Sequence, residues 1–432
     1  MITARLKNGL FNPGFALLFF SSLLMLALRA PDAVRHPQFW AEDGAIFFQQ
    51  QFGQGWPRLW EPYAGYLHLA PRFGAWLSSL LPYRYAPAIY ISFAMLIEAW
   101  ALAFFFKRSR LFVSPWILLS IYLLTPTNGE VFGTLTNIQW HLQFALLAAT
   151  FYPADESRQT TPGPAWRCLL VLAMGLTGPF SIFCGAVVAT AIAITIICHI
   201  LHNKYPTCQV ALQWWQRSDK SAIFALFLAA FVQAWFVLHA GNTIHSGTPS
   251  ASSAAPLLSR DLQWYVLGQH PLPDFLFVGI TLFIALFALH RTLRNPDLRW
   301  AIWLGLAAFA TAQILAVSND NNKTLINAAN LTGDRYFLAI KLAWWAAIAM
   351  LLGYLPRLRG NLTPWPCLVP MTLVCLLILA YPRFVCRQTL SNLHWMKVSK
   401  QIDTGPYPLK LPINPEGWSI SLSRPPHAEN NQ

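Results

Sequence analysis

The chain has 432 residues, of which 55% are hydrophobic, 14% aromatic and only 11% charged, against about 25% charged in an ordinary soluble domain. That composition excludes a disordered chain, a coiled coil and nearly every water-soluble enzyme. The formal net charge is +13. With no soluble basic domain to carry nucleic acid, the cations are read first as setting membrane orientation and second as ligands for an anionic lipid phosphate.

Apolar runs of roughly 17 to 22 residues match the thickness of a bilayer. They predict an all-α polytopic membrane protein with about 11 transmembrane helices, near 11–28, 85–106, 111–125, 137–152, 168–178, 180–200, 221–239, 274–290, 300–317, 336–354 and 365–381. The run at 111–125 is short, and so is 168–178, where Gly178-Pro179 could equally be a break within one longer helix. The first run is long for a signal-peptide core and no small-residue cleavage site follows it, so it is expected to be retained. The Lys- and Arg-rich linkers, among them Lys107 to Arg110, Lys204 to Lys220, Arg291 to Arg299 and Arg357 to Arg359, all fall on one side if the N-terminus is cytoplasmic. The transmembrane core then covers 1–381, and residues 382–432 form a small Pro-punctuated outer cap. The first outer loop, 29–84, contains two stretches expected to lie in the interface plane, Glu42 to Phe52 and Leu67 to Leu81. Cysteines lie mostly in apolar runs without a CxxC pair, which reads as packing.

The first outer loop opens with Phe39-Trp40-Ala41-Glu42-Asp43-Gly44. Adjacent carboxylates on a turn point in different directions, so one can face a cavity while the other is tied to the scaffold. A carboxylate against a partly apolar surface can take a proton from a hydroxyl group; the plainer reading of Glu42 and Asp43 is a solvated helix start. Further along, Tyr66, His68 and Arg72 occur within Tyr63 to Arg72. Arg offers a paired donor fork to phosphate, although both basic groups could simply snorkel to headgroups. Glu98 lies deep in the second span, where an ionisable group is costly. Glu130, Asn137 and His141 gather near the outer end of the fourth span; Asn137 and His141 are four apart on one helix face and could hold sugar hydroxyls or satisfy each other. Before the tenth span, Gly333-Asp334-Arg335-Tyr336 puts an acid and a base at a helix start, which already attracts anions. Arg335 is the strongest phosphate-ligand candidate there, with Lys341 further along the helix; an internal Asp334–Arg335 pair is the competing reading. No Gly-rich phosphate loop, HExxH or GxSxG occurs. No cofactor is firmly implied, and a divalent metal held by Glu42 and Asp43 stays open.

The strings Trp40-Ala41-Glu42-Asp43-Gly44, Asn137 to Trp140, Gly333-Asp334-Arg335-Tyr336 and Asn414-Pro415-Glu416-Gly417-Trp418 together resemble the GT-C superfamily of integral-membrane glycosyltransferases, in a bacterial branch. The resemblance implies a polyprenyl-phosphate sugar donor, an outer-face site and a location in the bacterial inner membrane with the N-terminus cytoplasmic. By family logic Asp43 becomes the general base, with Glu42 beside it, and Arg335 and Arg72 the donor-phosphate ligands. His68, Tyr66, Glu130, Asn137, His141, Asp334 and Tyr336 would contact substrate. The acceptor would be a periplasmic glycan or protein such as O-antigen or pilin, attacked in a single displacement. The rivals are a lipid-linked glycan flippase, with Glu98 coupling protons, and a ligase using a polyprenyl diphosphate glycan.

Overall fold

The protein is described here by a computed structural model covering residues 13–153, 163–201, 205–240, 251–268, 272–294, 297–318, 326–328, 331–353 and 386–423. It is 72% helical. The principal helices are α1 (Pro13–Arg29), α2 (Pro31–Arg35), α3 (Leu69–Ser79), α4 (Ala86–Ser109), α5 (Pro115–Leu124), α6 (Gln139–Thr150), α7 (Pro164–Gly175), α8 (Phe180–Ile200), α9 (Pro206–Arg217), α10 (Lys220–His239), α11 (Asp274–Arg294), α12 (Leu298–Val317), α13 (Asp334–Leu352) and the single turn α14 (Trp395–Val398). The expectation of an all-helical chain needs one amendment: β1 (Leu409–Ile413) and β2 (Trp418–Leu422) form an antiparallel pair with Leu411 opposite Ile420.

Six helices, α4, α8, α10, α11, α12 and α13, are long and apolar enough to cross a membrane, which makes this a multi-pass membrane protein. Their limits follow from local chemistry. Pro occupies the first turn of α4, where no hydrogen bond is lost, and Lys107 and Arg108 close its last turn against the negative end of the helix dipole. Asp219 caps α10 by accepting from Ser221 N (3.0 Å) and Ala222 N (3.2 Å).

The spans expected at 111–125, 137–152 and 168–178 are helices of 10, 12 and 12 residues. At about 1.5 Å per residue they reach roughly half the hydrocarbon thickness. Helix α6 is the clearest case: every residue except Ala149 is buried, and the helix touches α4, α7, α8, α10 and α13. It is a post at the centre of the bundle, shielded from lipid by its neighbours. The span expected at 365–381 lies outside the described residues.

The first outer loop is folded onto the bundle. After α2 it makes a π-helical turn, Asp43–Phe48, and then helix α3, only 11 residues long. Gln233 of α10 staples it down, accepting from Leu67 N (2.9 Å) and donating to Leu67 O (3.1 Å) and Gly178 O (2.9 Å). Gly178, at φ 91, is needed there because a Cβ would come within 2.2 Å of Gln139 Oε1.

The C-terminal segment closes the same loop from the other side. Arg387 forms a two-pronged bond to Asp32 (Nε 2.8 Å, Nη2 2.6 Å) and donates to Phe132 O (3.0 Å). Burial alone would raise the Asp32 pKa, but the Arg387 bonds hold it below the usual carboxylate value. The Trp395 ring packs edge-on against Phe39 (4.8 Å) and Phe48 (5.9 Å). Asn414 bridges to the strand-like residue Trp40, and the hairpin lies on the π-turn so closely that a Cβ at Gly44 would sit 2.7 Å from Ile413 Cδ1.

Candidate functional site

Asp43 and Glu42 part company, as adjacent residues on a turn must. Asp43 is 2% exposed and turned inward. Its Oδ2 accepts from Leu135 N (2.9 Å) and its Oδ1 from Thr136 N (2.7 Å), so it caps the 3-10 turn Thr136–Ile138 that leads into α6. Burial lifts its pKa to about 7 against the pull of those two N–H bonds. Both oxygens of the expected base are therefore occupied by the scaffold.

Glu42 is only partly buried. It faces the Tyr63 hydroxyl and couples electrostatically to Tyr66, Glu130 and Arg335. Tyr63 and Tyr66 both have raised pKa values, first through burial, so they are neutral hydroxyl donors at neutral pH. The Tyr66 hydroxyl meets the side-chain amide of Gln139.

Arg335 sits in the first turn of α13, where its own backbone N–H donates to Glu130 Oε1 (3.4 Å) and those of Asp334 and Tyr336 donate to Leu331 O and Gly333 O. Its Nη1 lies 3.3 Å from Glu130 Oε2, its Nη2 donates to the Tyr336 hydroxyl (3.4 Å), and its side chain is 24% exposed. Burial raises the Glu130 pKa, with Arg335 acting against it. Asn137 holds the loop that presents Glu130, donating to Glu130 O (2.8 Å) and Thr134 Oγ1 (3.0 Å). Tyr336 is braced edge-on by Trp140 at 5.3 Å. Glu42, Glu130, Tyr63, Tyr66, Arg335 and Tyr336 thus form one cluster, carried by the first loop, the 126–136 loop and the start of α13.

The other expected ligands lie outside it. Asp334 is completely buried and faces away from Arg335; it accepts from Thr127 Oγ1 (2.6 Å) and pairs with Lys341, two turns along the same face. Lys341 is 1% exposed and also donates to Pro126 O (2.8 Å), so its charge is spent on anchoring α13 rather than on a ligand. The competing Asp334–Arg335 pair does not form. His141 points deeper into the bundle, with Nε2 2.7 Å from the Tyr122 hydroxyl and Nδ1 3.8 Å from Glu98 Oε1. Its ring meets the backbone of Asn137, whereas the Asn137 side chain turns the other way, to Glu130 and Thr134. Glu98 Oε2 in turn accepts from Gly133 N (3.2 Å).

His68 and Arg72 lie beneath the loop, each 1% exposed. The His68 ring rests 4.7 Å from Tyr66 and 5.6 Å from Tyr63. Burial, then Arg72, depress its pKa to about 3, so it is neutral across the physiological range. Arg72 donates from Nε to Glu61 O (3.2 Å) and lies over the Phe47 ring at 5.0 Å, while its two terminal nitrogens have no hydrogen-bond partner among the described residues. Burial lowers its pKa and Glu61 offsets part of that.

Several contributors carried no signal in the sequence. Tyr63 stands in a quoted string but is unremarkable as a residue type. Arg29, at the end of the first apolar run, is buried and donates to Thr125 O (2.6 Å) and to Tyr122 O. Among the described residues, no three His, Cys, Asp or Glu side chains converge as a metal site. No protein-family model matches the sequence, and no curated protein matches it either.

Proposed function

We propose that the protein is a membrane glycosyltransferase that moves a sugar from a polyprenyl-phosphate donor to a hydroxyl of a glycan or protein acceptor. The observation that carries this reading is the partly exposed Arg335–Glu130 pair at a helix start, with the Glu42 carboxylate beside it. A guanidinium to meet a departing phosphate and a carboxylate to take a hydroxyl proton, in one cluster, are what this chemistry needs. Resemblance to the GT-C superfamily suggests the substrate class, and the Lys- and Arg-rich linkers support a reading in which the cluster faces the periplasm from the bacterial inner membrane.

In this scheme Glu42 is the base, and Asp43 is a positioning residue that fixes the turn on which Glu42 stands. The acceptor hydroxyl gives its proton to Glu42 as its oxygen attacks the anomeric carbon. The bond from that carbon to the lipid phosphate oxygen breaks, and the phosphate leaves as an anion beside Arg335 and the Tyr336 hydroxyl. Preorganised donors at the developing charge lower the barrier without reorganisation. The single displacement inverts the anomeric configuration. No cofactor enters the scheme.

Transfer of a radiolabelled polyprenyl-phosphate sugar into envelope polysaccharide or pilin, in membranes at matched expression, tests this. Glu42→Gln is expected to reduce turnover by about 10² to 10⁴ while the folded protein accumulates normally. Near-normal transfer by Glu42→Gln, or retained anomeric configuration, would overturn the scheme.

A further inference from the structure

A second polar feature lies away from the Glu42 cluster. Where α2 ends, where α4 begins and where the C-terminal segment enters α14, the surface folds into a groove of about 340 Å³. That is within the size range of small-ligand pockets. Arg35, Arg84 and Lys397 supply three cations to its lining, with His36 and His394 between them, and no carboxylate lines it. None of the three cations pairs with an acid among the described residues; Arg84 only lies over the ring of Tyr85, at 4.7 Å. Bare like charges gathered in one concavity repel one another, and an anion at their centre relieves that.

The walls are fixed. Gln38 accepts from Leu393 N (3.2 Å), and Trp395 Nε1 donates to Tyr83 O (3.0 Å). His394 holds a left-handed backbone at φ 53 at the start of α14. The three cations are therefore presented by three chain segments already tied together.

The surroundings identify the source of the anion. The groove is walled by the residues after α2 and the first residues of α4, a helix long and apolar enough to cross a membrane, so it opens at a helix end, where a bilayer would present its headgroups. Large apolar side chains stand uncovered in the same region: Val34 is 55% exposed, Leu80 59%, and Met396 57%. A soluble anion has no use for that apolar fringe, whereas a phospholipid meets it with acyl chains and meets the cations with its phosphodiester. We infer that this groove binds the phosphodiester headgroup of an anionic glycerophospholipid, and so clamps the C-terminal segment to the first outer loop through a membrane lipid.

Native mass spectrometry of the delipidated full chain in detergent tests this, by titration with phosphatidylglycerol, phosphatidylcholine or water-soluble glycerol phosphate. Phosphatidylglycerol is expected to bind more tightly than the other two. The double variant Arg35→Gln/Arg84→Gln is expected to weaken it about 25-fold, since each surface cation contributes about fivefold. Both side chains are exposed and unpaired, so the variant keeps the parent melting temperature. A charge-matched variant outside the groove, Lys410→Gln/Arg260→Gln, stays within about twofold of the parent. Equal affinity for phosphatidylcholine, or equal loss in the charge-matched variant, would overturn the site. Glycerol phosphate binding as tightly as the lipid would overturn the assignment to a membrane lipid.

Discussion

At Glu42-Asp43 and again at Asp334-Arg335 the chain carries two charges in succession, each preceded by a residue with left-handed backbone, Ala41 at φ 35 and Gly333 at φ 78. In both places one charge turns into the scaffold and the other faces the shared cluster. The anchoring differs. Asp334 is held by a cation, Lys341, and a hydroxyl. Asp43 is held by two backbone N–H groups and meets no cation in its bonding shell. A carboxylate bonded to a cation and one bonded only to backbone N–H groups answer differently to mutation and to pH. The comparison also shows why charge pairs recur here: the inward member fixes the backbone, and the outward member is thereby aimed.

The sharpest way to break the comparison is at Asp334. Lys341→Met leaves a buried carboxylate uncompensated and is expected to cost about 3–5 kcal/mol, seen as loss of folded protein in detergent. Adding Asp334→Asn should recover most of it. If the single variant is as stable as the double, charge does not anchor this side.

Asp43 should respond less to substitution and more to acidity. Asp43→Asn turns an amide N–H₂ toward a backbone donor and is expected to cost about 1–3 kcal/mol. Because the folded pKa is about 7 against 3.8 unperturbed, the native state keeps a proton that the unfolded chain loses. Its contribution to stability is therefore full below pH 4 and falls as pH rises to about 7. His68 acts in the opposite sense: with a folded pKa near 3 against 6.5, its contribution is full above pH 6.5 and is lost as pH falls. The two oppose each other between pH 4 and 6.5. In Asp43→Asn the His68 limb loses that opponent, so apparent melting temperature should rise with pH through that window more steeply than in the parent. A profile that superimposes on the parent would remove Asp43 from the titration.

The smallest stability effects belong to the outward members. Glu42→Gln and the charge-preserving Arg335→Lys should each change stability by no more than about 1 kcal/mol, read as nearly unshifted melting in detergent. A large loss of stability in either would erase the distinction between inward and outward charges.

Much of the bundle was legible because a helix crossing lipid must be apolar along its whole length. Helices α4, α8, α10, α11, α12 and α13 lie where runs of that kind predict them. Helix α6, expected as a span, is only 12 residues long: a post buried in protein and a span buried in lipid both read as apolar. Its polar residues Gln139, His141 and Gln143 are the sign that protein surrounds it. The divergence of Glu42 and Asp43 was foreseeable from turn geometry, but which of them turns inward depends on Leu135 and Thr136, far along the chain. The Asp334–Lys341 pair did leave a trace, since opposite charges seven residues apart in an apolar helix share a face. Arg387 and Asp32 left none, being 355 residues apart.

That separation has a consequence in time. Asp32 emerges from the ribosome long before Arg387, and at about 5–20 residues per second the interval is roughly 20–70 s. Throughout it, the first outer loop lacks Trp395 against Phe39 and the hairpin against Gly44. The loop carrying Glu42 therefore waits, uncovered, for the end of translation, and a chain stalled before Arg387 would enter the membrane without a finished site.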